Sequence, residues 1–213
     1  MMTVTQIYSQ FGTPKNLQQH MLRVTALASV ILDSWIDPEI DKQSIQTACL
    51  FHDIAKPITF DMSKQGQFIE SEEELTVLQK HHDHLVSKYG TNEYEALSKI
   101  FRELGLSESS QRIVNNLEWS LSDELIAKND IESLIPIYAD MRISPTGILT
   151  IRQRVLELHQ RAPIKNLSDR LMSAERLEKV IAESTTADLS TISNDQVNAQ
   201  ANKLQSLMVN STF

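Results

Sequence analysis

The chain has 213 residues, of which 41% are hydrophobic and 23% charged, enough for one good-sized soluble domain with an added element, or two small ones. Acidic side chains exceed basic ones by 28 to 20, and the formal charge of −8 argues against wrapping a long nucleic acid, which demands a basic surface. Only 5 Gly and 6 Pro leave too few special backbone positions for a turn-rich β-sandwich or barrel.

Helical periodicity runs through most of the chain. Thr13-Pro14 can open a helix from Lys15 to about Trp35, with Leu17, His20, Val24, Leu27 and Ile31 on one stripe, and Asp37-Pro38 breaks it. A second helix is expected over about Asp41–Ala55, then a loop over Ile58–Ile69, then a third helix over Glu72–Tyr89 capped by Gly90. Two shorter helices, Asn92–Leu104 and Ser107–Leu121, flank Gly105. Ile131–Arg142 reads as a buried segment interrupted by Pro136, and Ile148–Arg161 and Leu167–Ser184 continue the helical series. No strand pattern and no internal repeat stands out.

From about Glu183 the composition turns to Ser, Thr, Asn and Asp, as a linker or weakly ordered segment would. Beyond it Val197, Ala201, Leu204 and Met208 recur at helical spacing. This last helix is read as docking on its own molecule, with pairing to a second subunit in a homodimer as the alternative, since a short helix needs packing to persist.

Cys49 is the sole cysteine and sits among Ala48, Leu50 and Phe51, so the reading is a buried, unreactive thiol in a reducing compartment. The N-terminus has no secretory pattern, and no apolar run approaches the roughly 18 residues of a membrane span. A cytoplasmic protein with no membrane partner is expected.

The chemistry lies where polar residues interrupt apolar faces. His20 shares its stripe with Leu17, Val24 and Leu27; His52 and Asp53 close the buried run ACLFHDIAKP; Asp140 ends LIPIYAD. A buried carboxylate costs several kcal/mol unless it is paired or binds a metal. Two histidines and two acids, all inward, satisfy one another most simply through a shared cation.

The segments QHMLRVTALA, CLFHDIAKP and YADMRISP, in that order over roughly residues 15–160, resemble the HD-domain superfamily of metal-dependent phosphohydrolases. The resemblance implies an all-α fold, an HD-domain helical bundle over residues 1–165 followed by a C-terminal helical extension over 166–213 with a polar linker near 184–195. It also implies that His20, His52, Asp53 and Asp140 hold a divalent metal that activates water against a phosphoester. Ligands of this type without thiolate suit Mn, Fe, Co, Ni or Zn, with Mg possible. Asp53 would ligate and steer the water, and Lys56, one turn beyond His52, would neutralise a substrate phosphate; these two are the candidate catalytic residues. Arg23 and Arg142 are weaker candidates for the same phosphate.

A two-metal branch of the superfamily adds two histidines between the His-Asp pair and the final Asp. In LQKHHDHLVSKYG the seam of Leu75, Leu78, His82, Leu85 and Tyr89 turns His82 inward, with His81 and His84 expected on the exposed side. The second histidine is absent from IVNNLEWS, where Asn116 stands instead. His82 and Asn116 are therefore candidates for a second metal or a phosphate, with one metal preferred over two. His159 is read as structural or on the surface. The layout is closest to the small stand-alone hydrolases, and the substrate reading is a small phosphorylated molecule of the nucleotide type, with Phe60 and Trp119 able to stack a base. The alternative is a non-catalytic metal- or nucleotide-sensing or scaffold module of the same fold.

Overall fold

The computed structural model describes residues 2–69 and 71–209. Eleven α-helices are found among them: α1 Val4–Gln10, α2 Lys15–Asp33, α3 Lys42–Phe51, α4 Glu72–Tyr89, α5 Glu93–Glu103, α6 Glu108–Asn115, α7 Ser122–Ala127, α8 Ile131–Asp140, α9 Ile151–Arg161, α10 Leu167–Ser184 and α11 Asn194–Leu204. The all-α expectation holds.

The centre of the fold is α2. From Met21 to Leu32 all its residues but Arg23 and Val30 are buried, the pattern of a helix largely enclosed by others rather than lying on a surface. The hydroxyls of Thr25 and Ser29 return to the helix itself, Thr25 Oγ1 donating to Met21 O and Ser29 Oγ to Thr25 O, so neither is stranded. Helices α3, α8 and α11 pack around it.

Local chemistry sets the helix ends. Asp41 caps α3 by accepting from Ser44 N, Ser71 caps α4 through Glu74 N, and Thr150 with Gln153 makes a reciprocal capping box for α9. Gly90 closes α4 with φ +93°, a conformation glycine adopts without steric strain. After α3 the chain tightens into turns through His52 and Asp53, and a 3₁₀ turn follows over Lys56–Thr59. The second helix is thus shorter than its periodicity predicts, because Pro57 removes a donor and forces the turn.

Pro136 does not interrupt α8, contrary to expectation. Leu134, Ile135, Ile137 and Tyr138 around it are fully or almost fully buried, and that packing outweighs one missing backbone hydrogen bond.

Four two-residue strands also form, too short to leave a sequence pattern. Strands β2 Ile143–Ser144 and β3 Gly147–Ile148 make a hairpin just after α8, and β1 Met2–Thr3 pairs antiparallel with β4 Met208–Val209. Met208 therefore leaves the helical series expected for it and sits exposed on a strand, because α11 ends at Leu204 and the chain crosses to the N-terminus.

The polar segment between α10 and α11 is better anchored than its composition suggests. Thr185 pairs with Trp35, Thr186 N donates to Ser34 O at 2.8 Å, and Leu189 and Ile192 are buried in the main core. Helix α11 lays Val197, Ala201 and Leu204 inward against α2, as the docking reading expected. Arg142 is part of this anchoring. It is 4% exposed, and its guanidinium donates to Leu149 O, Tyr138 Oη and Leu189 O. The phosphate role read for Arg142 is corrected accordingly, since its donors are spent inside the fold.

His81 was read as exposed, yet its ring packs over Gly12. A Cβ at Gly12 would lie 2.1 Å from His81 Cγ, and its φ of +60° is left-handed. Gly12→Ala is expected to destabilise the chain by at least ~2 kcal/mol, from strain and overlap together, read as a lowered thermal midpoint. An unchanged midpoint would contradict the packing of α4 against the α1–α2 turn.

Candidate metal centre

Three elements bring the site together. His20 projects from α2 immediately before its buried stretch, His52 and Asp53 leave the tight turn after α3, and Asp140 is the last residue of α8. His20 Nε2 lies 2.9 Å from Asp140 Oδ1, while His52 Nε2 lies 3.9 Å from that oxygen and 3.8 Å from Asp53 Oδ2. Asp53 Oδ2 is 4.0 Å from His20 Nε2, and the two imidazole rings meet edge to face at 5.3 Å. Donors bound at about 2.1 Å on one ion lie roughly 3.0–3.4 Å apart, so these spacings need only small adjustments to close on a cation. His20, His52 and Asp140 form a cluster that could hold a metal, their ligand atoms all within 4.8 Å of one another. Asp53 borders it.

His52 is the most informative member. Its Nδ1 lies 2.8 Å from Cys49 O, a carbonyl that can only accept, so Nδ1 is the donor and, in the neutral ring, Nε2 keeps the lone pair. That Nε2 is buried and has no hydrogen-bond partner. A buried nitrogen lone pair aimed at two carboxylates is costly without a cation, and backbone anchoring of the other ring nitrogen is the usual arrangement for a metal-ligating histidine. The donor set therefore fits a divalent metal.

The two acids and His20 respond to each other electrostatically. For Asp140, burial acts to raise the pKa but is overridden by the hydrogen bond from His20 and the charges of His20, His52 and Arg154, which hold the carboxyl at about 2. For His20, burial acts to lower the pKa, yet the hydrogen bond and charge of Asp140, with Asp53 assisting, outweigh it and the net shift is upward. Side-chain exposures of 24% for His20, 21% for Asp53 and 33% for Asp140, against 5% for His52, show a cluster open on one side. A ligand can reach it from there.

Lys56 stands at the rim, with Nζ 3.8 Å from Asp53 Oδ1 and 3.7 Å from Glu93 Oε1. The Asp53 charge, partly opposed by burial and joined by Glu93 and Asp140, raises its pKa, so the amine stays charged. Asp53 thus turns Oδ2 to the histidines and Oδ1 to Lys56. Arg154 of α9 was missed in the sequence. Its side chain is only 12% exposed, it pairs with Glu157, and its charge is felt by both His20 and Asp140. It lies beyond the last motif, in a helix whose pattern gave no hint of the site.

The remaining candidates divide. His82 holds Pro57 O through Nδ1 at 2.9 Å, which places it on the turn behind Lys56 and outside the three-residue cluster. Asn116 is not brought to the site: its Nδ2 donates to Asp130 Oδ2 and Ser133 Oγ, both at 3.2 Å, within a network tied by Arg112. Arg23 lies three residues past His20 and lines a separate cleft. His159 Nδ1 accepts from Ile164 N, and Cys49 is buried, its thiol pushed up by burial above the usual range. Both match their structural readings. Trp119 lies under Arg170, away from a base-stacking role.

A family model described as HD domain matches residues 17–171, which span all four predicted ligands. No curated protein and no solved structure gives a match. Among the described residues no helix is long and apolar enough to cross a membrane.

Because a proton on His20 competes with a metal and its pKa is raised, affinity for Mn(II) is expected to fall about tenfold per pH unit below that pKa. Calorimetric titration at ~pH 8 and ~pH 6 reads this directly. Affinity independent of pH would contradict His20 as a ligand.

Proposed function

The chain belongs to the HD-domain family, and on that premise we propose that it is a divalent-metal-dependent phosphohydrolase acting on a nucleotide or another small phosphoester. The observation that carries the reading is the unpartnered, buried Nε2 of His52 facing His20, Asp53 and Asp140. A divalent ion held by these residues would lower the pKa of a bound water below its free value of 15.7, toward about 7 for zinc, and would polarise a phosphoryl oxygen.

The chain's own residues supply the rest. His20 and His52 present neutral nitrogens, and Asp140 presents a carboxylate that stays ionised down to about pH 2. Asp53 divides its work: Oδ2 completes the donor set, and Oδ1, on the Lys56 side, accepts a hydrogen from the attacking water and aims its lone pair at phosphorus. Lys56 and Arg154 offset the charge of the phosphoryl group, which a protein of −8 must do locally.

A cleft of about 780 Å³ between the start of α2 and α4 suits the organic part of the substrate. Asn16, one turn before His20, opens onto it together with Gln18 and Gln19, and Phe68 and Val77 give it an exposed apolar wall. On its rim Lys15 pairs with Glu74 at 3.8 Å and Glu73 stays unbalanced, so a neutral group such as a nucleoside fits better than another phosphate. This supports a nucleotide over a bare polyphosphate.

The test is elemental analysis of the purified chain, with phosphate release measured over nucleotides in the presence of Mn, Co, Ni, Fe or Mg. About one metal per chain and turnover of a nucleotide are expected. His52→Ala and Asp53→Ala should each lower metal content and cut kcat by at least ~10³ while helicity is retained. Full turnover in either variant would overturn the metal mechanism, and no bound metal with no turnover for any ion would replace the enzyme reading with a sensing or scaffold module.

A further inference from the structure

A second cleft, of about 530 Å³, lies between α2 and α11 beside the β2–β3 hairpin. The α11 wall lies past residue 171, where the family match ends. Four features of it converge.

The first is Arg23. It lies on α2 three residues after His20, so their Cβ atoms are roughly 5–6 Å apart. Its Nη1 donates to Ser144 O at 3.2 Å and its Nη2 to Asn194 Oδ1 at 3.0 Å, both neutral acceptors. Its Nε is buried and has no partner. A guanidinium has five N–H groups in a fixed fork, and here three are uncommitted. Burial lowers the pKa of Arg23, as it does for a charge short of a counter-ion.

The second is the lining charge. Among the described residues that line this cleft there is no Asp and no Glu, on a chain where acids outnumber bases. Arg23 is its only charged lining residue. The local field is therefore positive on a negative protein.

The third is the wall opposite. Asn194, Asn198 and Asn202 recur at four-residue spacing along α11 and Gln205 follows, all facing the cleft. Asn ranks low as a helix former, roughly 0.5–0.7 kcal/mol worse than Ala at each position. The exposed surface of α10 is instead built from charged residues, among them Glu175, Arg176 and Lys179. A face that only had to meet water would need no such ladder of carboxamides. Asn198 and Asn202 are exposed, and although Asn202 Oδ1 accepts from Gln205 Nε2 at 3.5 Å, the N–H donors of both asparagines can turn inward.

The fourth is how firmly the cleft is held. Asn194 Oδ1 also accepts from Ile148 N at 3.0 Å, and its side chain fills the space a Cβ would need at Gly147, whose φ is +147°. The hairpin that follows Asp140 and the C-terminal helix are thereby clamped to Arg23. The cleft is preformed, and its floor is the helix that carries a metal ligand.

We propose that this cleft is a second phosphoryl subsite, in which Arg23 and the carboxamides of Asn198, Asn202 and Gln205 hold a phosphoryl group one helical turn from the metal centre. It rests on the phosphohydrolase reading for its role and not for its chemistry. Two sources share that chemistry: a second phosphoryl group on the substrate, as in a nucleotide bisphosphate, or free inorganic phosphate acting on the enzyme. Carboxamide N–H groups and a forked guanidinium match phosphoryl oxygens in either case.

The test separates this from hydrolysis. In the full-length chain carrying His52→Ala, inorganic phosphate binding is measured by calorimetry. Binding is expected to persist and to fall at least tenfold on adding Arg23→Gln, or Asn198→Leu with Asn202→Leu. The Asn pair is exposed and outside the core, so it keeps the test intact if Arg23→Gln disturbs the α2–α11 contact. Arg23→Lys, which keeps the charge but loses the fork, should fall in between. No phosphate binding in the His52→Ala chain, or equal binding in every variant, would overturn the subsite whether or not the wild-type chain turns over a nucleotide. In the otherwise unaltered chain, a tenfold fall in the kcat/KM ratio of two-phosphate over one-phosphate nucleotides with Arg23→Gln assigns the site to the substrate. An unaltered ratio, with turnover modulated by added phosphate only when Arg23 is present, assigns it to the free anion.

Discussion

The hydrogen bond from His52 Nδ1 to Cys49 O is small in energy and large in consequence. It closes the last turn of α3, fixes the imidazole tautomer, and leaves a lone pair in a buried place where nothing in the protein answers it. Around that lone pair α2, the turn after α3 and the end of α8 deliver His20, Asp53 and Asp140. Each would be an expensive residue to bury alone. Together they lower one another's cost, most visibly in the Asp140 carboxyl held at about 2 against its own desolvation.

The rest of the architecture serves to keep that convergence in register. Enclosing most of α2 makes it the reference for the site, since α3, α8 and α11 are all positioned by packing against it. Arg142, buried under the hairpin after Asp140, joins the end of α8 to the segment leading into α11. The pairing of β1 with β4 and of Trp35 with Thr185 ties the C-terminal extension to the N-terminal half. The extension is thus built into the same core as the metal centre, and the cleft it walls off shares α2 with that centre.

Much of this was legible in the sequence, for identifiable reasons. His20, His52 and Asp140 each broke an apolar face, and a polar residue in such a position must find a partner or a ligand. Helices α4 and α10 were found to the residue because Ser71, Gly90 and strong periodicity marked them. What escaped depended on tertiary context. Pro136 is a helix breaker by local rule and survives because its neighbours are buried. Arg142 and Asn116 have the chemistry of phosphate and metal ligands, yet the fold uses their donors elsewhere. Arg154 and the carboxamides of α11 lay outside the motifs, in segments whose polarity was indistinguishable from a solvated helix face until the chain folded.

The central claim is that the lone pair on His52 exists to bind a metal shared with His20 and Asp140. Anomalous diffraction from crystals of the chain grown with Mn(II) tests it most directly. The account predicts a single strong peak within ~2.3 Å of His52 Nε2, His20 Nε2 and an Asp140 oxygen, with an Asp53 oxygen drawn in beside them. A fully occupied manganese elsewhere on the chain, with His52 Nε2 still facing no cation, would contradict it.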